Sequence, residues 1–119
     1  MTEVVLPETI VEIGAYAFAG SSIKEIDLTN APVIGEYAFA RTKLETVTLA
    51  ENTEIGDGAF LYCDALTTVE NLETATTIGA NAFAGVALTE VTLANATFIG
   101  DYAFANSAVT KVAFGDKLM

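Results

Sequence analysis

Apolar and polar positions along this chain follow two short patterns that alternate and recur together. The first is Ile23-x-x-Ile26-x-Leu28, Leu44-x-x-Val47-x-Leu49, Leu66-x-x-Val69-x-x-Leu72, Leu88-x-x-Val91-x-Leu93 and Val109-x-x-Val112-x-Phe114. Its closing alternation, rich in Val and Thr, places apolar side chains on one face and polar ones on the other, which predicts a short half-buried strand. The second is Ile13-Gly14-Ala15-Tyr16-Ala17-Phe18, Ile34-Gly35-Glu36-Tyr37-Ala38-Phe39, Ile55-Gly56-Asp57-Gly58-Ala59-Phe60, Ile78-Gly79-Ala80-Asn81-Ala82-Phe83 and Ile99-Gly100-Asp101-Tyr102-Ala103-Phe104. Its glycines are 21, 21, 23 and 21 residues apart. A fixed period in this range predicts a solenoid, in which each repeat supplies one rung and stacking supplies the core.

The strands then lie near 1–6, 23–28, 44–49, 66–72, 88–93 and 109–114 in a single repeat domain over 1–119, with five coils between them. They stack as a parallel sheet at roughly 4.8 Å per rung. In the hexapeptide, Gly is expected to supply a positive φ at the corner. The following x-x-Ala-Phe is too short for an ordinary helix and predicts one helical or 3₁₀ turn. Its Phe points inward, so Phe18, Phe39, Phe60, Phe83 and Phe104 are expected to form an internal ladder. Asn30 and Asn95 fall where the chain leaves a strand and are expected to satisfy backbone groups there. Pro7 and Pro32 fall in the same corner, outside the strands, as a hydrogen-bonded ladder requires.

The segment Ile55-Gly56-Asp57-Gly58-Ala59-Phe60-Leu61-Tyr62-Cys63-Asp64-Ala65-Leu66-Thr67-Thr68-Val69 resembles the BspA-type leucine-rich repeat. So does Val4-Val5-Leu6-Pro7-Glu8-Thr9-Ile10-Val11-Glu12-Ile13-Gly14, with its strand-Leu-Pro corner. Most copies are two residues short, and only one carries the Cys. The resemblance implies a right-handed leucine-rich-repeat-like coil with a parallel sheet on one side. It further implies a setting in bacterial cell-surface or secreted proteins, where such arrays serve adhesion and host-protein binding, and it brings no shared catalytic residues. No signal peptide is visible in the sequence. The chain begins at the first residue of a rung without a polar cap and has only residues 115–119 after Phe114, which reads as an excerpt of a longer array.

Charge narrows the partners. Sixteen acidic and five basic residues give a net charge of −11. Such a surface repels phosphate backbones and anionic membranes, which speaks against nucleic acid and lipid. No apolar run is long enough to span a bilayer as a helix. Cys63 is the only cysteine and there is no histidine. The thiol therefore has no base to activate it and is expected to be a small buried side chain.

The outward strand positions are the candidate partner face: Glu25, Asp27, Thr46, Thr48, Thr68, Glu70, Glu90 and Thr92. These residue types are also good solvated strand formers, and none is an aromatic or arginine anchor. Tyr16, Tyr37 and Tyr102 share a column on the opposite turn, interrupted by Gly58 and Asn81, and are a possible lateral contact. Without histidine, Ser-His, Cys-His and His-metal sites are excluded. Asp27 and Glu70 share an outward column two rungs apart, but paired carboxylate chemistry needs a cleft that a flat sheet lacks. No acidic group has calcium-ligand spacing, so neither metal nor cofactor is expected. The reading is a non-catalytic module that binds a protein, such as a host or matrix protein, or a glycan. The alternative is a spacer or self-assembling rod formed by end-to-end stacking of uncapped rungs.

Overall fold

The computed structural model describes residues 3–4 and 12–114. Each coil carries two strand segments. The longer ones are β1 (Glu3–Val4), β3 (Glu25–Leu28), β5 (Thr46–Leu49), β7 (Thr68–Glu70), β9 (Glu90–Leu93) and β11 (Lys111–Phe114). Every one lies inside a span expected from the Val-Thr alternation. Burial in β3 and β9 alternates exposed, buried, exposed, buried, with Ile26, Leu28, Val91 and Leu93 facing the core. Pairing is parallel and in the register that the repeat dictates: Ile26 opposite Val47, Val47 opposite Val69, and Val91 opposite Val112.

A second parallel ladder runs through the Ile-Gly corners, where the repeat predicts only a bend. It comprises β2 (Glu12–Ile13), β4 (Val33–Ile34), β6 (Glu54–Ile55), β8 (Thr77–Ile78) and β10 (Phe98–Ile99), stacked in one five-stranded sheet. The solenoid is therefore walled on two sides.

The corner glycine has a different role from the expected one. Positive φ among the glycines occurs at Gly20, Gly58 and Gly85, not at those following Ile. Gly35, Gly56, Gly79 and Gly100 are there because the coils approach too closely for a side chain. A Cβ on Gly56 would stand 2.7 Å from the Ile34 carbonyl oxygen, and one on Gly100 would stand 2.4 Å from the Ala80 nitrogen. The left-handed conformation instead falls two residues later, at Tyr16, Tyr37, Gly58, Asn81 and Tyr102. That reversal of φ breaks any helical run, so x-x-Ala-Phe forms hydrogen-bonded turns rather than a helix. Ala17, Ala38, Ala59 and Ala82 donate to the carbonyls of Gly14, Gly35, Gly56 and Gly79, each at 3.2 Å. Alternate residues bond across coils: Tyr16, Phe18 and Gly20 donate to Glu36, Ala38 and Ala40 at 2.8–2.9 Å, and later coils repeat the arrangement.

Inside, the five phenylalanines stack as expected. Successive ring centroids from Phe18 to Phe104 are 5.2–5.4 Å apart and the planes lie within 10° of parallel. Phe39, Phe60 and Phe83 are completely buried, whereas Phe18 and Phe104 are half-buried. Cys63 is buried beside this ladder, as expected. Its thiol donates to the Phe39 carbonyl at 2.9 Å and contacts the Thr42 hydroxyl at 3.2 Å.

The 23-residue spacing has a local consequence. The fourth long strand, expected over 66–72, ends at Glu70, and Asn71 turns left-handed (φ 69°) into a 3₁₀ turn over Leu72–Thr74. Leu72 still reaches the core, 5% exposed. The Asn71 amide donates to the Leu49 carbonyl at 3.0 Å, replacing the ladder bond that the bulged backbone gives up. The long-strand ladder consequently divides into β1-β3-β5-β7 and β9-β11. Pro32 precedes β4, outside the strands as required, and its carbonyl accepts from Glu54. Pro7, Leu6 and Lys117 lie outside the described residues.

Candidate functional site

On the long-strand face, the inward residues are fixed by the core, so the residues between them must point out. Glu25, Asp27, Thr68, Glu70, Glu90 and Thr92 are exposed, and Thr46 and Thr48 are half-buried. The register arranges them in two columns, Glu25–Thr46–Thr68 and Asp27–Thr48–Glu70. After the break, Glu90 stands opposite Lys111 and Thr92 opposite Ala113. Asp27 and Glu70 do share a column, two strands apart, which puts their backbones about 10 Å from one another.

Asp27 is tied to its own turn. The Thr29 hydroxyl and the Thr29 backbone N–H both donate to Oδ1, and together, the hydroxyl first, they hold this carboxyl below the usual aspartate range. A group held ionised in the open suits neither general-acid work nor a shared proton. Among the described residues no group of three or more His, Cys, Asp or Glu side chains could hold a metal. At Cys63, burial pushes the thiol up from its ordinary value, an effect that the Thr42 hydrogen bond only partly offsets. Burial thus favours the protonated thiol over the reactive thiolate.

The tyrosine column divides as the glycine and asparagine imply. Tyr16 stacks on Tyr37, with centroids 5.2 Å apart and planes 13° from parallel. Tyr37 in turn lies on Gly58, where a Cβ would come within 2.4 Å of its ring. Tyr102, beyond Asn81, is the most exposed of the large apolar side chains at 73%.

Two features escaped the reading of the chain. Phe98 is 56% exposed on the second sheet, whose existence the sequence did not disclose. A second left-handed column follows the Phe ladder at Gly20, Arg41, Tyr62, Gly85 and Asn106. Within it the Arg41 guanidinium carbon lies 5.0 Å from the Tyr62 ring centroid, a cation–π contact. The Arg and Tyr were visible 21 residues apart, the repeat period, which is the signal that would have found them.

This geometry offers extended surfaces whose charged groups stand in the open, and a shallow lateral depression lined by Arg41, Lys43 and Asp64. No helix among the described residues is long and apolar enough to cross a membrane. No curated protein and no solved structure matches the chain. A family model does: the BspA-type leucine-rich repeat region matches residues 1–112 in six copies. Two-ladder coils, a buried Phe stack, close-approach glycines at four of the five corners and, above all, six matched repeats place this chain in the BspA-type leucine-rich repeat family.

Proposed function

We propose that the chain is a non-catalytic protein-interaction module of a bacterial cell-surface or secreted protein, with its partner seated on the outward long-strand face. The observation that carries this reading is the aligned double column Glu25–Thr46–Thr68 and Asp27–Thr48–Glu70, held in register and turned outward by the core beneath it. Repeat solenoids use such extended surfaces for docking, and family membership supports the module and its extracellular setting. The acidic character of the face favours a basic partner surface, attracted more strongly at low salt.

The test is an array of immobilised matrix proteins and glycans probed with the folded chain and with Thr48→Arg, which places a positive charge between Asp27 and Glu70 in the middle of the face. Saturable binding to a protein that the variant weakens at least tenfold supports the reading. Silence across the array, or binding indifferent to the substitution, refutes it. A second reading, a rod of chains stacked end to end, is favoured by the last ring of the ladder, since Phe104 is half-buried where Phe39, Phe60 and Phe83 are fully covered. Light scattering across concentration separates the two: a constant monomer mass removes the rod, and a ladder of oligomers promotes it.

A further inference from the structure

The depression beside Arg41 and Tyr62 has a chemistry unlike the rest of the surface. It lies where the second coil's turn runs back towards β5, away from the outward strand columns, and is lined by Arg41, Thr42, Lys43, Tyr62 and Asp64. Its volume is about 390 Å³, within the range of small-molecule sites. Two of the five basic residues of a chain with net charge −11 stand in it.

The site is also fixed in place. The backbone N–H groups of Arg41 and Tyr62 donate to the Leu61 and Ala84 carbonyls of the following coils, each at 2.7 Å. The Tyr62 ring rests on Gly85, where a Cβ would come within 2.4 Å of it, and the Arg41 guanidinium lies over the same ring from the preceding coil. A cation–π contact uses none of the guanidinium's N–H groups as a hydrogen-bond donor to an oxygen, so its fork of donors serves a bidentate acceptor. Lys43 adds a second cation, while Asp64 is an exposed acceptor in the same lining.

We propose that this depression binds an acidic sugar, with the carboxylate on Arg41 and Lys43 and a ring hydroxyl donating to Asp64. The mixed lining selects that class. A sulfate or a phosphodiester has no donor for Asp64, and a free phosphate has at most two O–H groups against the several of a sugar ring. A neutral sugar leaves both cations unused. A polyacidic peptide brings several charges into the field of a strongly acidic chain, whereas a uronic acid brings one charge and several hydroxyl donors. The Tyr62 ring rests on Gly85 and supports the guanidinium, and its remaining exposed surface borders the depression.

The test is an NMR titration of the whole chain with glucuronic acid, with glucose, acetate and a triglutamate peptide as comparators. Arg41→Gly is the informative variant, because glycine already occupies this column at Gly20 and Gly85 and suits its backbone. Lys43→Ala removes the second cation, and Lys24→Ala removes an equal charge elsewhere. Glucuronate is expected to give saturable shifts centred on Arg41, Lys43, Tyr62 and Asp64, weakened by added salt. Arg41→Gly and Lys43→Ala should each weaken it by about tenfold, the scale of one charge-assisted contact, and Lys24→Ala by less than about twofold. No saturable shift, equal binding of acetate or the peptide, or full retention of affinity in folded Arg41→Gly overturns the proposal. Neither Arg41 nor Lys43 belongs to the outward columns, so this result and that of Thr48→Arg stand or fall separately.

Discussion

Phe60 is the middle ring of the internal ladder, and replacing it with alanine is the sharpest test of what holds the coils together. The side chain is fully buried and stacked on both sides, 5.4 Å from Phe39 and 5.2 Å from Phe83. Removing a buried Phe costs about 3–5 kcal/mol. Each stacked pair contributes a further ~0.5–1.5 kcal/mol beyond its area, and here two are lost, which puts Phe60→Ala at the upper end, about 4–5 kcal/mol. Phe104 has one stacked neighbour among the described residues and is half-buried, so Phe104→Ala should cost roughly half as much, about 2 kcal/mol. With a urea slope near 2 kcal/mol/M, the midpoints should fall by about 2 M and about 1 M. Phe60→Leu keeps most of the volume but loses both stacked pairs, and about 1–3 kcal/mol is expected, less than for Phe60→Ala. Urea unfolding followed by far-UV circular dichroism measures all three. If Phe60→Ala shifted the midpoint no more than Phe104→Ala, the nearest-neighbour account of this solenoid would be wrong.

The corner glycines predict opposite signs for one substitution. Gly56→Ala forces a Cβ to within 2.7–2.9 Å of Ile34, Gly35 and Glu36 backbone atoms and should cost about 1–3 kcal/mol, whereas Gly14 has nothing within 4 Å, so Gly14→Ala should stabilise by ~0.4–1 kcal/mol. Equal effects in thermal melts would discard the close-approach argument. Native Cys63 should resist iodoacetamide at pH 8 and react once unfolded in urea; rapid native labelling would contradict its burial. Because the fold holds the thiol protonated, its stabilising contribution is complete below the ordinary value of 9.0 and is lost as pH rises beyond it. Asp27 behaves in the opposite sense: its carboxyl is held below 3.8, so the contribution is present above that value and lost as pH falls. In Thr29→Ala the Asp27 titration followed by NMR should move up towards 3.8, and an unmoved midpoint would show that the Thr29 hydroxyl is not the cause.

The spacing of Ile, Gly and Phe made the coils, the strand faces and the ring ladder legible, because in a solenoid the period alone decides which residues share a column. What depends on distance between coils was not legible. A two-residue strand such as Thr77–Ile78 has no alternation to reveal it. A glycine required by a carbonyl of the neighbouring coil reads in sequence like one required by its own φ. The 23-residue step between Gly56 and Gly79 advertised an irregularity, but only the left-handed Asn71 and its bond to Leu49 explain why the long-strand ladder parts there. The outward Thr and Glu positions followed from alternation. The Arg41–Tyr62 depression did not, since neither residue belongs to an alternating strand.

The turn edge has a polarity that constrains any contact it makes. In coil after coil its cross-coil bonds run one way: Tyr16, Tyr37, Gly58 and Asn81 each donate to the coil that follows, and none of these N–H groups points back. The edge thus offers donors in one direction along the solenoid axis and acceptors in the other. Two identical edges brought together by a two-fold axis would set donor against donor or acceptor against acceptor. Symmetric pairing through this edge is therefore electrostatically frustrated, and an extended segment can continue it only head to tail. This lengthwise sense belongs to the turn alone, since the corner N–H groups of Gly35, Gly56, Gly79 and Gly100 donate back to the preceding coil at 2.7–2.8 Å.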